Sequence, residues 1–282
     1  MKLRGAAAAL FVLACAAQAQ EDAQPMAPKT FALVSAVGDL FYSVHELPSS
    51  RTGTRLEPYR RDPHQAPDNA LNRLVLASLD QAVGKMEPQS KRVYIAVATP
   101  RPRSESARMQ DLAIETVVEH LKPMPERSQW HRVVVATPSY RTMAADNMPG
   151  RIQGAGVFIE GASVGQFSYS HVKNKPPAND TKVETPSGEE ASASWFIAPY
   201  FAIKIWILDP RTFDVLDSRE IFQHRKYFDP NSDSMDITAN VDRRFLATKV
   251  VELVERTTGE AVMSTELRGT VDVKERGEVK PK

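Results

Sequence analysis

The chain has 282 residues, of which 42% are hydrophobic and 25% charged, with 36 Lys and Arg against 35 Asp and Glu. That composition suits a globular protein with a real core. It lacks the charge excess that marks a nucleic-acid binder or a protein drawn to an anionic membrane surface.

The first nineteen residues have the layout of a secretory signal peptide. Met1-Lys2-Leu3-Arg4 is basic, Gly5 to Ala14 is uncharged and mostly apolar, and Ala17-Gln18-Ala19 is a small-x-small cleavage site. Removing nineteen residues from 282 leaves 263. The cut also takes two of the 36 basic residues and no acid, so the remaining formal charge is −1 with His neutral. Export to the periplasm is the expectation. No later apolar run reaches membrane-spanning length; the longest, Trp195 to Leu208, is broken by Pro199 and Lys204. Cys15 is the one cysteine and lies inside the signal. A chain cut after Ala19 therefore has no thiol for a disulfide, a zinc-thiolate site or a Cys nucleophile. Val12-Leu13-Ala14-Cys15 also resembles the lipobox of bacterial lipoproteins, although Leu13 sits where a small or β-branched residue is usual. In that alternative Cys15 is lipidated and the protein is membrane-anchored at the outer membrane.

Residues 20–30 are polar with Pro25 and Pro28 and read as a flexible lead-in. Phe31 to Val37 predicts a buried strand, broken by Gly38-Asp39 and continued by Leu40 to Glu46. Arg51-Thr52-Gly53-Thr54 predicts a hairpin turn with a return strand through Arg60. A helix then opens at Pro67-Asp68 with Asp68 as its N-cap. Leu71, Leu74, Val75, Leu79, Ala82, Val83 and Met86 form its apolar stripe. Val93 to Ala98 is a strand, a second helix runs from about Ser104 or Ser106 to Lys122, and Val133 to Ala136 is another buried strand. Strand, helix, strand predicts a βαβ unit with two parallel strands close together.

Ala155 to Glu160 and Gln166 to His171 read as strands around a Gly-rich turn, and 172–192 as a mobile loop with nothing to bury. Trp195 to Leu208 is apolar on both faces and predicts a central strand. Asp209 to Thr212 turns the chain and Phe213 to His224 returns beside it. A last helix spans roughly Thr238 to Arg256, and 257–282 reads as a disordered charged tail. The fold expected is one α/β domain over 31–256, with a mixed parallel and antiparallel sheet and about three main helices.

Gly161-Ala162-Ser163-Val164-Gly165 matches the Gly-x-Ser-x-Gly elbow, and chain order would allow a triad of Ser163, Asp217 and His224. The elbow requires a helix after the serine. Here Gln166 to His171 alternates like a strand, so a two-glycine hairpin turn is the better reading. Gly154-Ala155-Gly156 lacks the third glycine and the helix of a dinucleotide fingerprint. Asp229, Asn231, Asp233 and Asp236 resemble a calcium loop, but Ser234 and Asn240 occupy positions that need Gly and Glu. The six histidines show no metal-ligand spacing. No cofactor and no metal are expected. A ligand surface is expected from topology, because open α/β sheets bind beyond the carboxyl ends of their parallel strands. Those ends carry Thr99, Arg101 and Arg103 in one loop and Ser139, Tyr140 and Arg141 in the other.

Ile203-Lys204-Ile205-Trp206-Ile207-Leu208-Asp209-Pro210-Arg211-Thr212-Phe213-Asp214-Val215-Leu216 resembles a segment of periplasmic accessory domains. Examples are the curli-secretion lipoprotein and the lipoprotein activators of penicillin-binding proteins. Those families usually place Gly after the turn Thr, where this chain has Phe213. The resemblance implies an envelope protein that binds other proteins and implies no catalytic residue. The function expected is therefore a non-enzymatic periplasmic protein that binds an envelope protein or a cell-wall component, with no nucleic-acid partner. The alternatives are an envelope serine hydrolase using Ser163, and a periplasmic binder of an anionic ligand at the Arg101/Arg141 edge.

Overall fold

The computed structural model describes residues 28–46, 59–98, 108–139, 143–145, 148–160, 181–234 and 236–267. Within them lies one mixed α/β fold, built on an eight-stranded sheet. Its strands are β1 (Thr30–Ser35), β2 (Leu40–Glu46), β3 (Tyr59–Gln65), β4 (Lys91–Ala96), β5 (Arg132–Pro138), β8 (Ala155–Glu160), β11 (Phe196–Leu208) and β12 (Val215–His224). Two small pairs complete the strands: β6 (Met143–Ala145) with β7 (Met148–Ile152), and β9 (Thr181–Glu184) with β10 (Glu190–Ala193). The helices are α1 (Ala70–Met86), α2 (Arg108–Leu121), α3 (Ile237–Asn240) and α4 (Arg243–Met263).

The thirteen residues of β11 organise the sheet. Along one edge β11 pairs with β12; along the other it pairs first with β8, through Phe196–Phe201, and then with β5, through Ile203–Leu208. β5 and β8 thus run end to end in one line. β1 and β2 form the next line, since β1 pairs parallel with β5 and β2 parallel with β8. β4 and β3 lie outside them. The sheet therefore has two wings, β5–β1–β4 and β8–β2–β3, that share β11.

Helix amphipathicity explains how the wings are covered. Leu71, Val75, Leu79 and Val83 of α1, with Leu253, Val254, Ala261 and Val262 of α4, bury against Phe31, Leu33, Val134, Phe201, Ile203, Ile205 and Ile207 on one face. On the opposite face Val117 and Leu121 of α2 cover Ala32, Val34, Val133, Val135 and Leu208. The β9–β10 hairpin covers the second wing on that same face, through Val183 and Ala193 against Val44, Phe158, Ala198 and Tyr200.

Several expectations change. β4 and β5 are parallel, but β1 lies between them, so the βαβ unit flanks a strand already present. The return strand begins near Arg60 and runs on to Gln65. Asp68 does not cap α1. It sits in a short 3₁₀ turn with φ +51°, and the N-cap is Asn69 at φ +55°. A side-chain cap uses an extended backbone; these two residues instead take the left-handed conformation that Asp and Asn tolerate best among non-glycines. Of the segment 172–192, residues 172–180 lie outside the described ones. Residues 181–192 carry β9 and most of β10, a hairpin whose buried Val183 and Ala193 supply the burial that was not expected there. The last helix is two: α3, with the Asp236 carboxylate accepting from Thr238 N, and α4, with Asp242 accepting from Arg244 N and Phe245 N. α4 runs beyond Arg256, and Thr257, Thr258, Ala261, Val262 and Leu267 are buried, so residues 257–267 belong to the core. Their small and hydroxyl-bearing side chains read as polar, while their i, i+4 spacing turns them toward the sheet.

Candidate functional site

The carboxyl ends of β4 and β5 come together as topology requires. Ala96 and Ala136 both stand level with Ser35, on either side of β1. The loops carrying Thr99, Arg101 and Arg103, and Tyr140 and Arg141, follow these ends in sequence; those five residues lie outside the described ones. Ser163 and Cys15 lie outside them too.

Ser139 is described and fully buried. Its amide donates to Ala202 O (2.9 Å), and its hydroxyl donates to the Glu220 carboxylate across β11. Two residues earlier, the buried Thr137 hydroxyl accepts from Gln110 Nε2 (2.8 Å) at the start of α2 and from Trp206 Nε1 (3.0 Å) on β11. Lys204 pairs with both Thr137 and Glu220 in the strand register and sets its ammonium 3.8 Å from the Trp206 ring centroid. A belt of polar side chains from α2, β5, β11 and β12 therefore lies between the two apolar covers of this face. Its chemistry is donation and acceptance of hydrogen bonds, with one ammonium and one carboxylate.

The opposite face holds a second buried polar point. Asn72 of α1 accepts from Ser35 Oγ (2.8 Å) and from Val37 N (3.1 Å), where the chain leaves β1 toward Gly38 (φ +79°) and β2. Asn72 thus replaces the sheet partner that the irregularity removes from Val37, since a buried amide left unpaired is costly.

Asp217 and His224 are not brought together. They stand seven residues apart on one strand, level with Ile207 and Tyr200 near opposite ends of the β11–β12 pairing. At strand rise that is about 23 Å, on opposite faces of the pleat. Asp217 instead accepts from Ser218 N (2.7 Å) and Glu266 N (2.9 Å), and His224 stacks on Phe222 at 5.4 Å. Asp217 and His224 therefore form no pair that could serve Ser163; His45 and Asp62, on β2 and β3, do share a hydrogen bond (2.8 Å). The described members of the calcium-like loop bond to their own neighbourhood: Asp229 Oδ1 accepts from Asn231 N (2.9 Å), and Asn240 closes the loop onto the Asp229 backbone. No group of three metal-ligating side chains occurs among the described residues.

Sequence reading missed Gln110, Trp206, Lys204 and Glu220. Their partners are 69 and 81 positions away along the chain in the two longest cases. The signal available was the pair of polar residues interrupting apolar strands, Lys204 in β11 and Thr137 in β5.

No protein-family model matches the chain, and no curated protein matches it. Among the solved structures it is weakly similar to are two bacterial proteins. One is a Xanthomonas campestris protein described by the family model DUF330, at 11% identity and TM-score 0.33, covering 84% of this chain and 85% of that one. The other is a neuraminyllactose-binding hemagglutinin homologue from Helicobacter pylori, at 9% identity and TM-score 0.31, covering 85% and 87%. Neither is a curli-secretion lipoprotein or a penicillin-binding-protein activator, and at these scores the likeness carries no argument about function.

Proposed function

We propose that this is an exported, envelope-associated protein that acts by binding another envelope protein or a cell-wall component, without catalysis. The observation that carries the reading is the level placement of Ala96 and Ala136 on either side of β1. It starts two arginine-bearing loops from the carboxyl ends of two strands that flank β1, the end of a parallel strand being where α/β proteins place their ligands. The N-terminal signal supports export. The separation of Asp217 from His224 takes away the triad that chain order allowed for the hydrolase alternative.

In vivo crosslinking followed by pull-down tests the reading. The wild-type chain is expected to capture a partner from the envelope fraction. Replacing Arg101 and Arg141 together should abolish capture while leaving the thermal transition in place, and added salt should weaken it because exposed charges are screened. Capture unchanged in the double variant would refute the surface. A protein that remains in the cytoplasm with Met1 at its N-terminus would refute export. A blocked N-terminus, with Cys15→Ala moving the protein from membrane to soluble fraction, would select the lipid-anchored form.

A further inference from the structure

A cavity on the α1/α4 face gathers cations. It measures about 60 Å³ and lies where the chain leaves β12 beneath α4. Arg225 and Tyr227 form one side; Lys249, Glu252 and Arg256 form the other; Pro199 and Leu253 are its apolar walls. The three α4 side chains fall at i, i+3 and i+7, one stripe of a helix. Three cations thus face a space that receives one carboxylate from its own lining.

Lys249 and Arg225 are each paired with a carboxylate, and Arg256, among the described residues, is not. Arg256 donates its Nε to Gln223 Oε1 (2.7 Å), and the Gln223 amide in turn donates to Glu260. That fixes the guanidinium plane and leaves its two terminal nitrogens without a carboxylate partner among the described residues. Lys249 Nζ lies 2.9 Å from Glu252 Oε2 and 5.4 Å from the centroid of the Phe245 ring. Arg225 reaches out to Glu184 at 2.8 Å. Tyr227 sits buried against Phe245, and burial pushes its hydroxyl up to about 12, so at neutral pH it remains a proton donor.

We propose that this cavity binds a small oxyanion of the phosphate type, either free or as the headgroup of a larger molecule. A fixed guanidinium fork beside an ammonium matches the geometry and charge of a phosphate group. The space admits such a group, and the rest of any larger ligand would project into solvent. The inference is independent of the partner surface at the strand ends.

Calorimetric titration of the mature chain with inorganic phosphate, alongside thermal unfolding, tests it. Phosphate is expected to bind and to raise Tm, because a ligand that binds only the folded state stabilises it by mass action. Arg256→Gln should weaken binding by at least about tenfold, the scale of one lost charged hydrogen bond. Glu252→Gln should tighten it, because it removes the competing carboxylate; a merely structural contact would not give opposite signs. Lys249→Gln provides a second weakening variant if Arg256→Gln does not fold. Binding to phosphatidylglycerol vesicles that free phosphate displaces would identify a headgroup as the source, and phosphate binding without vesicle binding would identify the free ion; either supports the site. No phosphate-dependent heat or Tm shift, or equal phosphate affinity in wild type and the folded weakening variant, would overturn it.

Discussion

The two wings of the sheet are built on different terms. In β5–β1–β4 the strands run parallel, helices cover both faces, and β1 and β5 are apolar almost throughout. In β8–β2–β3 a hairpin covers one face. Beyond α1 and α4 the other face carries a polar lattice: Ser43 Oγ with His64 Nε2 (2.8 Å), and His45 Nε2 with Asp62 Oδ2 (2.8 Å). Ser43 thus bonds one histidine and Asp62 another, so the four residues do not form a triad. The first wing is specified by continuous hydrophobicity, the second by cross-strand pairs that depend on register.

The sharpest way to break the second wing is at Gly156. It faces Tyr200 on one neighbour and Tyr42 on the other. A Cβ there would collide with the Tyr200 hydroxyl and the Tyr42 carbonyl oxygen. The Tyr42 contact is backbone and cannot swing aside. Gly156→Val should destabilise by about 3 kcal/mol or more, at or beyond the upper end of overpacking costs. Chemical denaturation would measure it, and a loss below about 1 kcal/mol would mean that the wings are not locked at this point.

The junction between β1 and β2 comes next. Asn72→Leu leaves the Ser35 hydroxyl and the Val37 amide buried without their acceptor. A cost of about 2–3 kcal/mol is expected from the desolvation of such groups. Asn72→Asp, which keeps the acceptor oxygens, should lose less if hydrogen bonding is the cause.

The smallest effect separates the wings by pH. Burial lowers the pKa of His131, which packs edge-on against Phe31 in the first wing. A depressed folded pKa gives stability that is whole above the unfolded value near 6.5 and is lost as pH falls through the folded one. Asp62 in the second wing is also lowered, chiefly by its hydrogen bond from His45 and also by Arg60, against an ordinary value of 3.8. Its contribution persists to lower pH and then disappears. Both effects should stay under about 1 kcal/mol, since these groups are partly solvated. Stability measured from pH 8 to pH 3 should show the first loss vanish in His131→Gln and the second in Asp62→Asn.

The strands β1, β2, β5, β8 and β11 and the helices α1 and α2 announce themselves by period, because each buries a face made of its own consecutive residues. The hairpin of β9 and β10 does not: Val183 and Ala193 are its buried apolar residues, set among polar and charged neighbours, and its fit depends on a surface contributed by other strands. The end of α4 was hidden by Thr257, Thr258 and Gly259, which read as polar until the helix turns the threonines inward. Phe213 is the departure from the resemblance that the backbone explains. It adopts φ +64°, where glycine is at ease, while the Arg127 guanidinium covers its ring at 5.2 Å. Arg127 also donates to Pro210 O and Arg211 O, both at 2.9 Å, so the turn gains from outside what glycine would have given it. The cation cluster of the α4 cavity was illegible because its members come from two elements whose packing no local pattern records.

Where β5 ends and β8 begins, Ser139 N donates to Ala202 O, Gly154 N to Ser139 O, and Ala202 N to Gly154 O. The chain departs from a line of the sheet and re-enters the same line, with both ends clasped to a single residue of β11. Such a base behaves like a socket. Apart from Met148, which is buried in the core of the second wing, what lies between Ser139 and Gly154 can be exchanged, lengthened or shortened by mutation, while the register on either side is held by the clasp. Loop lengthening adds only a slowly growing closure entropy, so descendants of this chain could vary what the socket presents without rebuilding the sheet beneath it.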